Sequence, residues 1–383
     1  TLVHWVNDGL MVIFFFVVGL EIKREVLVGE LATPRRAALP LVAALGGMLL
    51  PALIYIAFNL GGPGEVGWGI PMATDIAFVL GILAVFGDRV SVSLKVFFTA
   101  LAIADDLGAV LVIAIFYCGE IAWTALGVAA VVLVALVVLN RGHVRHPLPY
   151  ALLGVGLWLA FLQSGIHPTI AGVLLAMTIP ARSAGPREAY VAQCTAALGG
   201  LGSDNGGHGL SSPEAAAQTL ETIAERIQSP LRRLERLLNP WNAYLIVPIF
   251  ALANAGVTFS GDLLQDLVQP ISLGIILGLL LGKSLGITFF SMLAVKLGIA
   301  DLPQGVGWGQ LFATSWLAGI GFTMSLFIAS AAFGQPELLA LAKMDILIGS
   351  ALAAAIGFAL ILLTSRGSEK ISSLAGEEMA ARA

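Results

Sequence analysis

The sequence predicts an all-α protein that crosses a membrane many times, and three observations lead to this prediction. The chain of 383 residues is 58% hydrophobic and only 11% charged, whereas soluble domains are about 25% charged. Its apolar residues form long runs, which polar residues, glycines and prolines separate. Its lysines and arginines concentrate in alternate connections between these runs, a pattern typical of polytopic membrane proteins.

Eleven apolar runs predict transmembrane helices, although several are short or rich in glycine. They lie at about 3–20, 37–58, 67–87, 94–117, 121–140, 149–163, 167–180, 241–257, 271–295, 308–332 and 338–364. The predicted organisation is therefore membrane helices within 1–180, a cytoplasmic loop at 181–238, membrane helices within 239–364 and a cytoplasmic tail at 365–383.

The basic residues also predict the orientation of the chain. Eighteen of the twenty lysines and arginines fall on one side of this topology, and we assign that side to the cytoplasm. Of the other two, Lys343 begins the last span and Lys283 lies inside the membrane. Because the C-terminal tail is assigned to the cytoplasm, an odd number of spans places the start of the chain outside. Because the first residue is Thr1 and not Met, we expect an N-terminal truncation and one further helix upstream, and no signal peptide.

The cytoplasmic loop divides into two parts. Residues 199–213 are rich in glycine and serine and predict a flexible linker. Residues 214–238 predict a pair of amphipathic helices that is broken at Pro230. The second helix has an apolar stripe of Leu231, Leu234, Leu237 and Leu238. We expect the loop to be solvated and to lie against the membrane.

Charge and spacing exclude several other functions. The net charge is −4, and no basic patch with interleaved aromatic residues occurs, so we expect no nucleic-acid partner. Cys118 and Cys194 fall on opposite sides of the membrane and cannot form a disulfide. The loop residues His143, His146 and His208 lack metal-ligand spacing. The sequence also lacks a nucleotide-binding loop motif, so nucleotide-driven pumping is not supported.

Two adjacent acids, Asp105 and Asp106, lie in the middle of an apolar run. About ten residues separate them from Lys95, which places them ~15 Å along a helix and near the centre of a ~30 Å hydrocarbon core. A carboxylate at that depth costs about 2.5–3.5 kcal/mol on insertion scales, and two neighbours repel each other. The pair therefore predicts a site that binds a cation or a proton.

Two triplets of spans, 37–117 and 271–364, run in opposite orientations and predict an inverted-topology repeat. The middle helix of each triplet carries signals for a break at matching depth. These signals are Gly69, Pro71 and the pair Thr74-Asp75 in the first triplet, and Gly319, Gly321 and Thr323 in the second. Proline removes a backbone donor and glycine lowers helix propensity. We therefore expect two discontinuous helices that cross at mid-membrane, unless the glycines only reflect their frequency in membrane helices.

Half-helices that meet inside a membrane leave partial positive charge at their N-termini and partial negative charge at their C-termini. Asp75 has the charge that compensates the N-terminal ends. Lys283 is the only charged residue between Asp266 and Lys296, and it compensates either the C-terminal ends or a nearby carboxylate.

With these features the chain resembles the NhaA family of bacterial sodium/proton antiporters. The matching stretches are GLEIKRE (19–25), MATDIAF (72–78), ALAIADDLGAV (100–110), SGIHPTIAG (164–172), NPW (239–241), FALANAG (250–256), LGKSLGI (281–287) and GIGFTMSLFIAS (319–330). They spread in order over nearly the whole chain, and the acid pair, the Thr-Asp pair and the mid-membrane lysine together are highly specific. Inverted repeats with broken helices are already known for this family, so that part of the fold is not an independent prediction.

The resemblance implies a role for each residue of the site. Asp105 and Asp106 correspond to the family's carriers of cation and proton, with Na+ bound at these two carboxylates. Asp75 and Thr74 correspond to residues at the crossing of the broken helices. Lys283 corresponds to a lysine near the site, which either pairs with Asp105 in one state or only compensates helix dipoles; both alternatives stay open.

The resemblance also implies the cargo and the surroundings of the protein. We expect Na+ or Li+ to be exchanged for H+, without a cofactor, across the lipid bilayer of a bacterial inner membrane, in the service of sodium and pH homeostasis. A complete family member has a preceding helix and a hairpin that carries the dimer contact, so the full-length protein would be able to form a homodimer.

Competition between ions supplies the expected mechanism. A desolvated carboxylate favours its protonated form, and an adjacent carboxylate increases that preference. A bound sodium ion requires oxygen ligands and at least one ionised carboxylate, so sodium and protons exclude each other. If only the loaded forms reorient, exchange by alternating access is obligatory. Two titrating groups per cation would make transport electrogenic. The stoichiometry of two protons per sodium ion comes from the resemblance.

Two rival functions involve intramembrane acids. An aspartyl protease would use one acid on each of two helices, whereas Asp105 and Asp106 are adjacent on one, so we do not expect an enzyme. A sodium-coupled solute symporter of similar architecture is the alternative. Solute dependence distinguishes it from an antiporter, which moves protons when sodium or lithium alone is added.

Four charged residues correspond to the family's cytoplasmic funnel, which is linked to pH response: Glu21, Arg24, Glu25 and Glu235. Three arginines of the loop would join them if the first span packs beside the eighth: Arg232, Arg233 and Arg236. Carboxylates paired with arginine have lowered pKa values, so we expect them to titrate too low to sense neutral pH. No histidine stands at positions 236 or 239. We therefore assign the pH response to the carrier acids.

Three further titratable residues lie outside this scheme. Asp8 and Asp345 lie nearer the ends of their spans, where we expect wetted or capping roles. His167 precedes Pro168 at an outer loop and is expected to be structural.

Overall fold

The computed structural model describes residues 2–181, 191–195, 218, 221, 228–256 and 263–382. Within these ranges the chain is helical and has no β-strand, which confirms the all-α prediction. The predicted linker at 199–213 and most of the first predicted amphipathic helix lie outside the described residues.

Seven helices lie within residues 2–181. Helix α1 comprises Leu2–His4, a π-helical turn at Trp5–Leu10 and Met11–Val28, and α2 is Pro34–Asn59. A 3-10 helix at Glu65–Met72 leads through residues 73–75 into α3, Ile76–Val85. Then follow α4 (Val92–Phe116), α5 (Trp123–Arg141), α6 (Pro147–Leu162) and α7 (Thr169–Thr178). Short 3-10 helices at Glu30–Ala32 and Gly87–Arg89 connect their neighbours.

Six helices follow from residue 230 onward. Helix α8 comprises Pro230–Trp241, a π-helical turn at Asn242–Ile246 and Val247–Asn254, and α9 is the short helix Leu263–Leu267. Helix α10 comprises Pro270–Leu277, a π-helical turn at Gly278–Gly282 and Lys283–Lys296. Helix α11, Trp308–Ser315, ends in a 3-10 turn at Leu317–Gly319. Helices α12 (Phe322–Ala332) and α13 (Pro336–Arg382) complete the chain.

Local sequence explains several of the helix starts. Helices α2, α6, α8 and α10 begin with proline in the first turn, where the missing N–H has no intrahelical partner to lose. The Leu94 N–H donates to Ser91 Oγ at 3.3 Å and the Arg232 N–H to Ser229 Oγ at 3.3 Å, which caps α4 and α8. Pro230 therefore begins a helix at the predicted break.

Each of the eleven predicted spans coincides with a helix or with a broken helix. Six described helices are long and apolar enough to cross a membrane, or seven if the bent pair α11 and α12 forms one span. Helices α6 and α7 are apolar but shorter. The multi-pass membrane fold is thereby confirmed, while the number of eleven spans stays a prediction.

Helices α2 and α10 approach each other very closely at two glycines. A Cβ atom on Gly46 would lie 2.3 Å from the carbonyl oxygen of Gly286, so neither position has room for a side chain. Beside this contact, Gly47 faces Ile287 and the side chain of Lys283. The close packing holds Lys283 in the interior of the protein.

Candidate ion-binding site

Two unwound segments cross where the 3-10 helix before α3 meets the turn between α11 and α12. The Asp75 N–H donates to the Ile320 carbonyl at 2.7 Å, and the Thr74 hydroxyl donates to the Ala318 carbonyl at 2.9 Å. The Ser325 hydroxyl donates to the Ile70 carbonyl at 2.7 Å. Each segment thus bonds to backbone groups of the other that lack an intrahelical partner. Inside a membrane such groups must be satisfied by the protein itself, because no water is present.

The predicted break residues are placed differently in the two halves. Gly69 and Pro71 lie inside the 3-10 helix, and the chain becomes extended only at residues 73–75. In the second half Gly319 ends the 3-10 turn and Gly321 is the N-cap of α12. Of the break signals predicted in the first half, Gly69 and Pro71 thus precede the extended segment, and Thr74 and Asp75 lie in it. A 3-10 helix tolerates proline where its N–H is not needed, so the break falls one turn later.

The carboxylate of Asp75 accepts hydrogen bonds from the N-termini of the two half-helices that begin at the crossing, α3 and α12. It accepts hydrogen bonds from the Phe78 N–H of α3 at 3.5 Å and from the Thr323 N–H of α12 at 3.1 Å. The Thr323 hydroxyl donates to the same carboxylate at 2.5 Å. A carboxylate at this position compensates the partial positive charge of two helix ends together. Thr323 is thus a hydrogen-bond donor to Asp75. The sequence alone indicates Thr323 only as a signal for a helix break.

Helix α4 carries Asp105 and Asp106 into the interior, where they are 1% and 2% exposed. The ammonium group of Lys283, which is 0% exposed, donates to Asp105 Oδ2 at 2.5 Å. Of the two roles left open for Lys283, pairing with Asp105 is the one present in this structure. Among the described residues Asp106 forms no ion pair, and Oδ1 of each aspartate lacks a hydrogen-bond partner.

The two acids therefore have different electrostatic environments. Asp105 has its charge compensated by a lysine within the low-dielectric interior, whereas Asp106 forms no ion pair with a described residue, and each acid has one oxygen without a hydrogen-bond partner. A buried carboxylate oxygen without a donor is costly until it is protonated or coordinates a cation. Adjacent helical residues differ by ~100° around the axis, so both can face one cavity only at its edges.

A π-helical turn, Gly278–Gly282, ends immediately before Lys283. Turns of this kind occur frequently at functional sites because they shift the direction of the side chains that follow them. The two glycines of this turn are its only sign in the sequence.

A second polar site lies at the C-terminal end of α1, which the sequence predicts to be cytoplasmic. Arg24 bonds there both Glu25, at 2.9 Å, and Glu235 of α8. A cavity of about 660 Å³ adjoins it, lined by Arg24, Gln228, Arg232, Glu235, Arg236 and Asn239. Glu21 lies within electrostatic range of Glu235. We call Glu21, Arg24, Glu25, Arg232, Glu235 and Arg236 the cytoplasmic cluster. Arg233 instead lines another cavity, with Arg145 and His146.

Glu235 corrects the expectation about pKa values in this cluster. The side chain is only 5% exposed, and burial raises the pKa of Glu235, although Arg24 and Arg232 act in the opposite direction. The arginines were expected to lower this pKa. The prediction was wrong because desolvation of a buried carboxylate outweighs its two partners here. In the apolar stripe of the same helix, Leu231 is buried and Leu237 is 62% exposed.

The sequence predicts roles for three residues outside these sites. Asp345 is 0% exposed, so the expected wetted or capping role is wrong. Asp8 is partly exposed and lies 3.8 Å from His4. His167 packs its ring 5.0 Å from that of Phe327 and contacts the Thr169 hydroxyl at 2.9 Å, as a structural residue would.

Crossed discontinuous helices with buried carboxylates and a buried lysine at their meeting point define the class of secondary ion transporters. Comparison with known proteins agrees with this class. The family described as Na+/H+ antiporter 1 matches residues 1–361, and the chain belongs to this family.

Several proteins named Na(+)/H(+) antiporter NhaA are similar to the chain. The one from Oleidesulfovibrio alaskensis is 52% identical over 96% of this chain and 83% of its own length. That from Syntrophobacter fumaroxidans is 52% identical over 92% of this chain and 76% of its own length. One from Escherichia coli is 47% identical over 95% of this chain and 84% of its own length. These relatives are transporters, so the chain is a membrane transporter and not an enzyme.

Proposed function

We propose that the protein exchanges cytoplasmic Na+ or Li+ for external H+ at Asp105 and Asp106. The observation that carries this proposal is the unequal state of two adjacent buried acids. Asp105 is paired with Lys283, while Asp106 has no counter-charge among the described residues and has an oxygen without a hydrogen-bond donor. Such a site requires a proton or a cation at Asp106, and it cannot hold both together.

The sodium-loaded state follows from the same contacts. A sodium ion at Asp106 recruits the oxygens of Asp105, which then leaves Lys283. Lys283 in turn loses its counter-charge and favours its neutral form, which releases a proton. In the proton-loaded state Lys283 is charged, Asp105 is bound to it and Asp106 is protonated. Sodium binding thereby displaces protons from the site, and no cofactor takes part in these steps.

The crossing of the broken helices forms the frame that holds the site. Asp75, held by Thr323 and by the N-terminus of α3, provides a charge that balances two helix ends without being transported. Reorientation of this frame from one side of the membrane to the other gives alternating access. Thr74 donates its hydroxyl hydrogen to the opposite segment, and its oxygen keeps lone pairs that are available to a cation.

Two proton-accepting groups for one sodium ion make the exchange electrogenic. With two protons per sodium ion, one net charge moves in each cycle, and the membrane potential contributes about 2.3 kcal/mol per charge for each 100 mV. The same stoichiometry makes transport respond to pH, because the carrier groups themselves titrate. The cytoplasmic cluster modifies this response through the charge of Glu235.

We further propose an inner-membrane location in a bacterium, with the loop 181–238 and the tail 365–383 in the cytoplasm. The distribution of basic residues supports this orientation. The function in the cell is sodium and pH homeostasis, and the protein forms a homodimer. The relatives reported above are named as antiporters, which favours exchange over solute symport.

The test uses the purified chain in proteoliposomes with a pH-sensitive dye. Addition of NaCl or LiCl on one side should move protons in the opposite direction, whereas choline chloride should give no response. A membrane-potential dye should report net charge movement in the same vesicles. Proton movement that requires an added organic solute would instead show a symporter.

A further inference from the structure

Asp345 is a buried carboxylate that the exchange mechanism does not use. It lies on α13, nine residues after Pro336, with 0% of its surface exposed. Neither of its oxygens accepts a hydrogen bond. A helical rise of ~1.5 Å per residue places it ~14 Å along α13, well inside the apolar layer. A side chain of this kind is rare in membrane helices and points to a function.

The polar groups around Asp345 come from three neighbouring helices. Ser272 of α10 lies beside the carboxylate, and Tyr55 of α2 and Asp266 of α9 are within electrostatic range of it. None of these three is a cation. Lys343 lies on α13 itself, two residues away and therefore ~200° around the helix, on another face.

The nearby hydroxyl donors are already engaged with backbone carbonyls. The Ser272 hydroxyl donates to the Asp266 carbonyl at 2.7 Å. The Tyr55 hydroxyl donates to the Gly64 carbonyl at 2.6 Å. A hydroxyl has one hydrogen to donate but keeps its lone pairs. Ser272 can donate to an ionised Asp345 only by giving up its bond to the Asp266 carbonyl, whereas its oxygen can accept the proton of a neutral Asp345 without that loss.

We propose that Asp345 is a second proton-binding site, separate from Asp105 and Asp106. An ionised carboxylate here would be fully desolvated, without a donor and without a counter-charge. A protonated carboxyl group is neutral, and a small movement of the side chain would let its O–H donate to the neighbouring Ser272 hydroxyl, with which Asp345 forms no hydrogen bond in this structure. The ligand that this environment fits is therefore a proton. Among the described residues nearby, the two hydroxyls are bonded to backbone carbonyls and the Asp266 carboxylate is bonded to Gln269, so the surroundings are poor for a bare cation.

The position of the site gives it a place in the protein. The two helices that carry buried acids have matching places in the chain. Helix α13, with Asp345, follows the broken pair α11 and α12, and α4, with Asp105 and Asp106, follows the 3-10 helix and α3. Tyr55 lies near the end of α2 and Ser272 near the start of α10, which are their extracellular ends in the proposed topology. Asp345 thus stores a proton in the outer half of the protein, although proton binding there does not depend on that topology or on exchange.

The test is infrared difference spectroscopy of the purified protein over roughly pH 5–9, a range in which buried carboxyl groups titrate. A protonated carboxyl group gives a carbonyl stretch that ionised carboxylates lack. We expect one such band to decrease as pH rises in the parent protein and to be missing in Asp345→Asn. The matched control is Asp266→Asn, which makes the same change at a partly exposed neighbour and should keep the band.

A second variant tests the assignment if Asp345→Asn folds poorly. Ser272→Ala removes the acceptor, so the band should remain but move to higher frequency. In an Asp106→Asn background, added NaCl should leave the Asp345 band unchanged. The proposal is overturned if the band persists in Asp345→Asn, if Ser272→Ala leaves its frequency unaltered, or if sodium removes it, which would indicate a cation site. None of these readouts requires exchange activity, so failure of the proposed transport function would be recognised separately.

Discussion

Lys283 Nζ lies 2.5 Å from Asp105 Oδ2, a contact between α10 and α4 that joins residues 178 positions apart. Both side chains are almost completely buried, at 0% and 1% exposure. The pair fixes one member of the adjacent acids as charge-compensated and leaves the other to bind a proton or a cation. Each of the following predictions depends on that difference or on the frame that holds it.

Asp106→Asn should abolish sodium-coupled proton movement while the protein still folds. An amide is nearly isosteric with a carboxyl group but cannot ionise, so it neither carries a proton nor neutralises Na+. The measurement is the dye response of proteoliposomes to NaCl. Asp301→Asn is the matched control, because Asp301 is an exposed acid that pairs with Arg35 at 3.3 Å on the surface. Full exchange in Asp106→Asn would remove the central claim.

Asp105→Asn should be nearly as damaging to exchange, and it should also lower stability. The change leaves the Lys283 ammonium buried without its counter-charge, which is unfavourable in a low dielectric. Sodium affinity from isothermal titration and charge moved per cycle from electrode currents separate two cases. Intact affinity with less charge per cycle would identify Asp105 as the proton-only carrier, whereas unimpaired exchange with unaltered charge would contradict its role.

Lys283→Ala should lower thermal stability more surely than it removes exchange. Breaking a buried ion pair from one side costs about 3–5 kcal/mol, since the remaining charge is uncompensated. Combining Lys283→Ala with Asp105→Asn removes both charges and should recover part of that loss. The melting temperatures of the two single variants and the double variant in detergent provide the measurement. Strictly additive losses would mean that the pair does not couple energetically.

Thr323→Val should weaken the crossing of the broken helices. The substitution keeps the shape of the side chain but removes the hydroxyl that donates to Asp75 at 2.5 Å, and hydrogen bonds to charged groups contribute about 1.5–3 kcal/mol. We expect a lower melting temperature and slower exchange. Thr323→Ser retains the donor and is the matched control. Equal behaviour of the two variants would show that the hydroxyl has no part in holding Asp75.

The pH dependence of stability should reveal the buried state of Glu235. Because burial raises the pKa of Glu235, the folded protein binds this proton more tightly than the unfolded chain. Its contribution to the free energy of unfolding is then fully present below the ordinary glutamate pKa and decreases as pH rises through the folded pKa. Glu235→Gln should remove that decrease from the melting curves, and Glu25→Gln is the comparison variant. A decrease of unchanged size in Glu235→Gln would contradict the assignment.

The same variant should move the pH activation of exchange by a fraction of a pH unit and keep the response. Loss of a negative charge near the cytoplasmic mouth makes deprotonation of the carriers easier, so the midpoint should move to lower pH. If Glu235→Gln makes exchange independent of pH, the cytoplasmic cluster is itself the sensor.

The cytoplasmic cluster shows where sequence reasoning reaches its limit. The partners of Glu235 were correctly expected to be arginines, but the direction of its pKa was not. Charge type can be read from the sequence, whereas the desolvation of a carboxylate depends on how α1 and α8 pack. The prediction for Asp345 was wrong for the same reason. Its position near the end of a span predicted contact with water, but tertiary packing buries the side chain completely.

The sequence by itself determined the membrane class, the helical segments and the identity of the polar residues at mid-membrane. It could do so because apolar runs and charges at bilayer depth have large energetic costs that few structures can meet. Only the tertiary structure decided that Lys283 pairs with Asp105, that Thr323 and α3 share Asp75, and that the first break begins at residue 73. Those outcomes depend on distances between helices far apart in the chain, where a shift of a few ångströms makes or removes a hydrogen bond.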